Sequence, residues 1–503
     1  PEAIASVDFI KSFGPQGLAV PTGSAPIFLD FAAGAAIQAQ VQNATLMVSE
    51  FVYLQGDFAF RRGGAKEIDV KLGIGDLTAR GIMANSIEFG ANNVQAFIGV
   101  NGPYIQDSNN DGLVTDHAVT VGDVHYEADV VNKKAIGLVV NDFDFGMTIL
   151  TTQSPSITNP LSLFVPEGTK FTALKATGRE LALVGTGDNF HFSLEDVAVS
   201  VNQSSRAGLI ADLTRGGTQA GMRIETGDPA QPVILDMRED MLSASIGYAR
   251  LNIMNVLTLE GGITLQRRVM QDADVYLAGI KVPFVGASAL VIGGRNISAF
   301  AGINGPYLSD KNGNHELSDE TPNPDAIGFA IADLDFGLVL ANPTIAGQVL
   351  NDVQFIGITA YAKYAGLVGT DPWVTLNAQE VHFGLNMAIA QGYPIPLTFI
   401  DFSSINDGGA PGMDIPIGTA ASINMAELDA FEVRIGFQAN LGLFGLFEIN
   451  APAFDFTFEF PDTGDLIPEI NLSSLMNFDF GIPVTAPDWL KGAVEFLKNI
   501  DLT

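Results

Sequence analysis

From Phe51 to Arg62 the chain reads FVYLQGDFAFRR, with Leu54, Phe58 and Phe60 apolar at alternate positions. A period of two predicts a strand with one buried face. The stretch NVLTLEGGITLQRR, Asn255–Arg268, answers it. Gly56 and Gly261 occupy matching places, and a glycine inside a strand pattern predicts a bulge or bend. Further on, KAIGLVVNDFDFGMTI (Lys134–Ile149) matches DAIGFAIADLDFGLVL (Asp325–Leu340), with seven of sixteen positions identical. The DFDFG and DLDFG cores alternate acid with hydrophobe, which predicts one wet face and one buried face. Along most of the chain Val, Ile, Phe and Thr alternate with polar residues, punctuated by Gly, Asn, Asp and Pro. Strands therefore dominate the expected structure. The exception is DWLKGAVEFLKNI, Asp488–Ile500, just after Pro487. There Trp489, Leu490, Val494, Leu497 and Ile500 form one helical stripe, predicting a short C-terminal helix.

The strand pattern recurs because the chain repeats itself. Gly99–Asp116 (GVNGPYIQDSNNDGLVTD) returns as Gly302–Asp319 (GINGPYLSDKNGNHELSD), 203 residues later. Each follows an apolar lead-in, Asn93–Phe97 and Asn296–Phe300, and each makes a Gly-Pro turn into an Asp/Asn-rich loop. The DFDFG-type strands lie only 191 apart, so the first copy carries a 12-residue insertion around VGDVHYEADVVN. PIFLDF (Pro26–Phe31) matches PVILDM (Pro232–Met237), and ALVGT (Ala182–Thr186) matches GLVGT (Gly366–Thr370). A third, partial copy starts at PLTFIDFSS, Pro396–Ser404, and continues into LGLFGLFEIN, Leu441–Asn450. There Gly445, Phe447 and Ile449 take the places of Gly56, Phe58 and Phe60.

An internal repeat defines the structural unit. The expected division is an N-terminal segment 1–25, β repeat 1 at 26–202, β repeat 2 at 203–390, and a partial third repeat at 391–503 ending in the helix. The expected fold is all-β: an elongated tandem repeat of mainly antiparallel units with large sheets, sandwich- or solenoid-like.

Charge narrows the partners. The chain has 57 acidic and 25 basic residues, a net charge of −32. Such a surface repels nucleic acid and anionic lipid, and attracts cations. No cysteine is present, which excludes disulfides, thiolate-bound zinc and thiol catalysis. No run of 18 apolar residues occurs, so no transmembrane helix is expected. The opening PEAIASVDFI lacks the basic and apolar regions of a signal peptide, so such a leader was removed, was never present, or lies outside this segment.

The repeated loops carry the candidate chemistry. Asp107, Asn109, Asp111 and Gly112 have D-x-N-x-D-G spacing. Oxygen ligands at alternate positions let a tight loop wrap a hard cation, and glycine permits the sharp turn. The Leu113 carbonyl would be the next ligand, with Asp116 closing the set. In the second loop Asp310, Asn312 and Asn314 keep the alternation, His315 replaces the glycine, and Glu316 and Asp319 supply further oxygens. The alternative for both loops is an ordinary Asx-rich turn. The front half of the first loop resembles the calcium loops of EF-hands, dockerins and thrombospondin-type repeats. Ala118 stands where an EF-hand has its bidentate Glu, and the flanks read as strands. Calcium is the expected cofactor. The five histidines show no ligand spacing, and neither G-x-S-x-G nor a phosphate-binding G-x-x-x-x-G-K occurs. Repetition without repeated catalytic chemistry points away from an enzyme.

The NGPY motif (Asn101–Tyr104 and Asn304–Tyr307), the Asp/Asn loop after it and the AIG…D-x-DFG strand (Ala135–Gly146 and Ala326–Gly337) together resemble repeat modules of very large secreted bacterial surface and adhesin-type proteins. That resemblance implies an extracellular or cell-surface, acidic, calcium-stabilised β protein. The function expected is structural: a repeat segment of a bacterial fibre, adhesin or matrix protein, partnered by copies of itself and by a cell-surface or matrix component. The alternative is a β-groove that binds lipid or another apolar ligand, drawing on the 34 Phe.

Overall fold

The computed structural model describes residues 7–481, apart from 22–25, 30–35, 50, 74–76, 112, 122, 157, 188–189, 271–272, 283–285, 346–347, 350–351, 372, 392, 408–409, 419–420, 444–446, 461–468 and 472–478. Strands make up 64% of the chain and helix 4%, which places it in the all-β class, with large antiparallel sheets. The predicted helix Asp488–Ile500 lies outside the described residues, as do Gly445 and the side chains of Phe447 and Ile449.

Two compact units divide the chain: residues 1–185 with 197–243, and residues 186–196 with 244–503. These bounds differ from the division at 202/203 and 390/391. The reason is packing. Residues 209–237 cover the core of the first unit, and 395–428 cover that of the second, so neither stretch belongs to the start of a following unit.

The first unit holds an antiparallel meander of β1 (Ala36–Val48), β2 (Val52–Lys71), β3 (Thr78–Val100), β4 (Ile136–Thr152) and β5 (Lys170–Val184), each paired to the next. Strand β6 (Phe190–Ser204) divides its residues between the two units. Short strands β7 (Met222–Ile224) and β8 (Val233–Leu235) pair with each other. Beneath them Ile68, Val70, Ala84, Leu150, Phe171, Ile224 and Leu235 form a buried cluster. In the second unit, after β9 (Met241–Ile253), come β10 (Leu257–Met270), β11 (Asp274–Leu277), β12 (Gly286–Ile303), β13 (Ile327–Ile345), β14 (Val353–Val368), β15 (Val374–Ala390), β16 (Phe399–Asp401), β17 (Phe431–Leu443) and β18 (Phe447–Phe460). The long ones pair antiparallel in the order β10, β12, β13, β14, β15, β17, β18. Its main core gathers Val275, Val291, Val339, Phe355, Ile400, Phe402, Met413 and Ile415.

The covering segments approach closely because the sheet is locally glycine. A Cβ on Gly90 would lie 2.1 Å from the Glu225 carbonyl oxygen, and one on Gly293 would lie 1.9 Å from that of Pro416.

A bulge interrupts most hairpins. Register shifts fall at Val41/Ala44, Gln55/Asp57 and Ala91/Val94 in the first unit, and at Glu260/Gly262, Gly294/Ile297 and Gln379/His382 in the second. Gly56 and Gly261 sit at two of them, as their place in the pattern predicts. Asn43, Asn93, Asp142, Asn296 and Asp333 have φ between 48° and 56°, the left-handed region that Asn and Asp tolerate. The main-chain N–H of each bulge Asn is held by a carboxylate on the next strand: Asn43 by Asp57 at 2.6 Å, Asn93 by Asp144 at 2.7 Å, and Asn296 by Asp335 at 2.7 Å.

The bulge corrects the alternation expected of DFDFG. Asp142 takes the extra position, and Asp144, Phe143 and Phe145 are all half-buried rather than sorted to a wet and a dry face. Burial outweighs the Asn93 hydrogen bond and, with Asp142 and Asp57 nearby, pushes the Asp144 carboxyl up to about 6. Phe97 is buried, whereas Phe58 and Phe60 are half-buried on the outward side.

Candidate functional site

Both Gly-Pro loops leave their sheet at the end of a long strand, β3 or β12, beyond a buried Phe. A Cβ at Gly102 would lie 2.3 Å from the Phe97 ring, and one at Gly305 lies equally near Phe300, so each turn is laid flat on its aromatic ring. The peptide before Pro103 and the one before Pro306 are both cis. Tyr104 packs with Phe97, Val139 and Ala182; Tyr307 packs with Phe300, Ala330 and Val368.

One asparagine clamps each loop. Asn132 donates from its amide to the carbonyls of Asn101 (2.7 Å) and Pro103 (3.0 Å), while its own N–H reaches the Tyr104 carbonyl (2.8 Å). Asn323 does the same to Asn304 (2.7 Å), Pro306 (3.1 Å) and Tyr307 (2.8 Å). Asn101 and Asn304 in turn donate to the carbonyls of Lys134 and Asp325. Asn132 and Asn323 lie outside both the NGPY motif and the Asp/Asn spacing. Their signal was present as N-x-x-A-I-G in both places, Asn132–Gly137 and Asn323–Gly328.

Beyond this shared clamp the loops diverge. In the first, the 12-residue insertion forms a small hairpin, Val119–Val121 with Val124–Tyr126. Buried Asp129 anchors the loop by accepting from Ser108 N (2.7 Å), Ser108 Oγ (3.0 Å) and Thr115 N (3.1 Å). Asp107 Oδ1 and Asn109 Oδ1 both accept the Asp111 N–H, at 3.1 and 2.9 Å, so the two oxygens converge on one point. Asp111 Oδ1 accepts from Leu113 N at 3.0 Å. These are Asx-turn hydrogen bonds, and Asn312 and Asn314 make the same pair in the second loop. Asp116 does not join them: Arg179 donates to its Oδ1 at 2.6 Å, and His117 lies 2.9 Å away. Burial opposes ionisation of Asp116, but His117 and Arg179 together hold its carboxyl below the usual range.

In the second loop the oxygens are already committed. Asp310 accepts from Gly313 N (2.8 Å), Asn314 N (3.2 Å) and His315 N (3.0 Å). Asn312 Oδ1 accepts from Asn314 N, and Asn314 Oδ1 from Glu316 N. Asp319 takes the side-chain amide of Asn314 at 2.9 Å, and Glu316 is paired with Arg295 at 2.5 Å. Arg250 donates to the Asp310 carbonyl at 3.1 Å and pairs with buried Glu260, which also accepts from the Tyr248 hydroxyl. Burial and Glu260 push that hydroxyl far above the usual tyrosine range. His315 stacks on Tyr248, with ring centroids 4.8 Å apart, and reaches Glu195 at 3.1 Å. These residues fit a self-sealed turn better than a metal loop. Among the described residues, no three His, Cys, Asp or Glu side chains gather closely enough to hold a metal without backbone or amide oxygens.

Two other features bear on ligands. A cavity of about 50 Å³ lies beneath the first loop, bounded by Tyr53, Gln55, Gln95, Phe97 and Tyr104, too small for a fatty acid. On the outward face of the first sheet Val48, Val52, Ile98, Leu138 and Leu183 stand opposite one another in an unbroken row across five strands. Among the described residues no helix is long and apolar enough to cross a membrane.

Comparison with known proteins found no matching family model, no matching curated protein and no matching solved structure.

Proposed function

We propose that this chain is a structural and interaction protein: a calcium-stabilised tandem-repeat segment of an extracellular or cell-surface bacterial fibre, adhesin or matrix protein. One observation carries the reading. Two Gly-Pro loops, 203 residues apart, rest on the same aromatic, use the same asparagine clamp and rise from the same bulged strand. Such duplication conserves a scaffold, and a scaffold is what a stacking repeat needs. The cation would sit at Asp107, Asn109 and Asp111, whose side-chain oxygens turn onto one bend of the loop. It would neutralise part of a chain that carries −32. Calcium suits these oxygens better than magnesium, which demands tighter octahedral geometry and holds its water.

Negative-stain images of the purified chain, with calcium and with chelator, test this reading. Ordered multimers in calcium are the expected outcome. Isolated compact monomers at every calcium concentration would refute it.

A second reading is favoured by the outward aliphatic row alone: that face would hold an apolar ligand such as lipid. Native mass spectrometry and fluorescent fatty-acid uptake test it. Absence of both bound lipid and uptake removes it.

A further inference from the structure

We infer that β1 is a self-pairing edge through which two copies of this chain join, antiparallel, about a two-fold axis at Gln40. This rests on the reading above that copies of the chain associate, and it names the strand that does so. Strand β1 is AIQAQVQNATLMV, with no Asp, Glu, Lys, Arg or Pro. Natural edge strands are blunted by such residues or covered. Among the described residues β1 pairs with β2 alone. From Ile37 to Val48 every residue but Ala44 is exposed, so the strand is open on both faces.

Three observations select a second copy as the occupant. The first is charge. In a chain of −32, two copies repel wherever acids meet, and these 13 residues are free of them. The second is self-complementarity. Gln38, Gln40 and Gln42 share one face, and Ile37, Ala39 and Val41 share the other. An amide both donates and accepts, so a glutamine row pairs with its own kind, which an acidic or basic row does not. An axis at Gln40 sets Gln38 against Gln42 of the other copy and Ala39 against Val41, within the stretch before the Asn43 bulge. The third is construction. The Asn43 N–H is held by Asp57 just as Asn93 and Asn296 are held in β3 and β12, and those strands are flanked on both sides. Strand β1 is built as an interior strand yet lies at an edge among the described residues. Strand β18 offers no equal site: it carries Glu448, Asp455 and Glu459, and residues 469–471 and 479–481 pair along it.

The chain has no cysteine, so Gln40→Cys in the full 503-residue protein introduces a single thiol. Directly opposed antiparallel residues have Cα atoms about 4.5–5.5 Å apart, within disulfide reach. Mild oxidation should convert most of this variant to a covalent dimer, while Val124→Cys, exposed on the small hairpin, stays largely uncrosslinked. Gln40→Lys sets like charges against each other at the axis. It should weaken dimerisation by about tenfold or more in sedimentation, with circular dichroism and melting unchanged. If Gln40→Cys fails to crosslink while sedimentation and images still show multimers, this inference falls and the fibre reading stands. If the protein is monomeric throughout and uncrosslinked, both fall.

Discussion

The two Gly-Pro loops meet different side chains. Arg250 and Arg295 lie against the Asp310 carbonyl and the Glu316 carboxylate, and His315 is wedged between Tyr248 and Glu195. In the first loop Arg179 pairs with Asp116, and buried Asp129 holds Ser108 and Thr115. Both loops stand on the same aromatic floor and the same asparagine clamp. One scaffold is thus closed by two different sets of side chains.

The largest effects should fall on the floor they share. Phe97→Ala and Phe300→Ala each remove a buried ring, and each should lower stability by about 3–5 kcal/mol in denaturant unfolding. Closely similar losses sharpen the comparison. A ring whose removal is nearly neutral would break it.

Calcium should separate the loops. At a hundredfold excess over Kd it should stabilise the protein by about 2.7 kcal/mol, read as a rise in melting temperature that magnesium reproduces poorly. Asp107→Ala with Asp111→Ala should abolish that gain. Asp310→Ala should leave it intact.

Asp310→Ala should instead lower stability by about 1–3 kcal/mol with or without calcium, because it strands three main-chain N–H groups. Asn132→Ala and Asn323→Ala should each cost a similar amount and a similar amount as one another. Thermal melts in chelator check all three.

The smallest effect concerns pH. The Asp144 carboxyl titrates at about 6 in the folded chain against a usual 3.8. Ionising it therefore opposes folding. The penalty is absent below about pH 4, grows between, and is complete above 6. Asp144→Asn keeps an oxygen for the Asn93 N–H and should stabilise by about 1 kcal/mol at pH 7, and by nothing at pH 4. Equal shifts at both pH values would contradict the burial argument.

Much of this was readable in the residues. Alternation in FVYLQGDFAFRR foretold β2, and Gly56 and Gly261 foretold bulges, because only a missing Cβ lets the neighbouring strand come so near. The other bulges were hidden. Asn43, Asn93 and Asp142 look like ordinary polar positions in an alternating strand, and their left-handed φ appears only once the register is known. The unit boundaries were hidden for a related reason. PVILDM at 232–237 resembles the start of a copy, yet Leu235 and Met237 are buried in the preceding core, a long-range contact that local pattern does not encode. The candidate ligands were half legible. D-x-N-x-D spacing placed Asp107, Asn109 and Asp111 on one bend, but spacing carries no information about the arginine that claims Asp116. Nor does it reveal Asp129, which follows the small hairpin and reaches back to Ser108 and Thr115.

Hydrogen exchange followed by mass spectrometry, with calcium and with chelator, reads the two loops separately in one experiment. Calcium should slow amide exchange across Asp107–Asp116 and leave Asp310–Asp319, already held by its own side chains, unchanged. Protection that appears in the second loop but not the first, or in neither, would contradict the account.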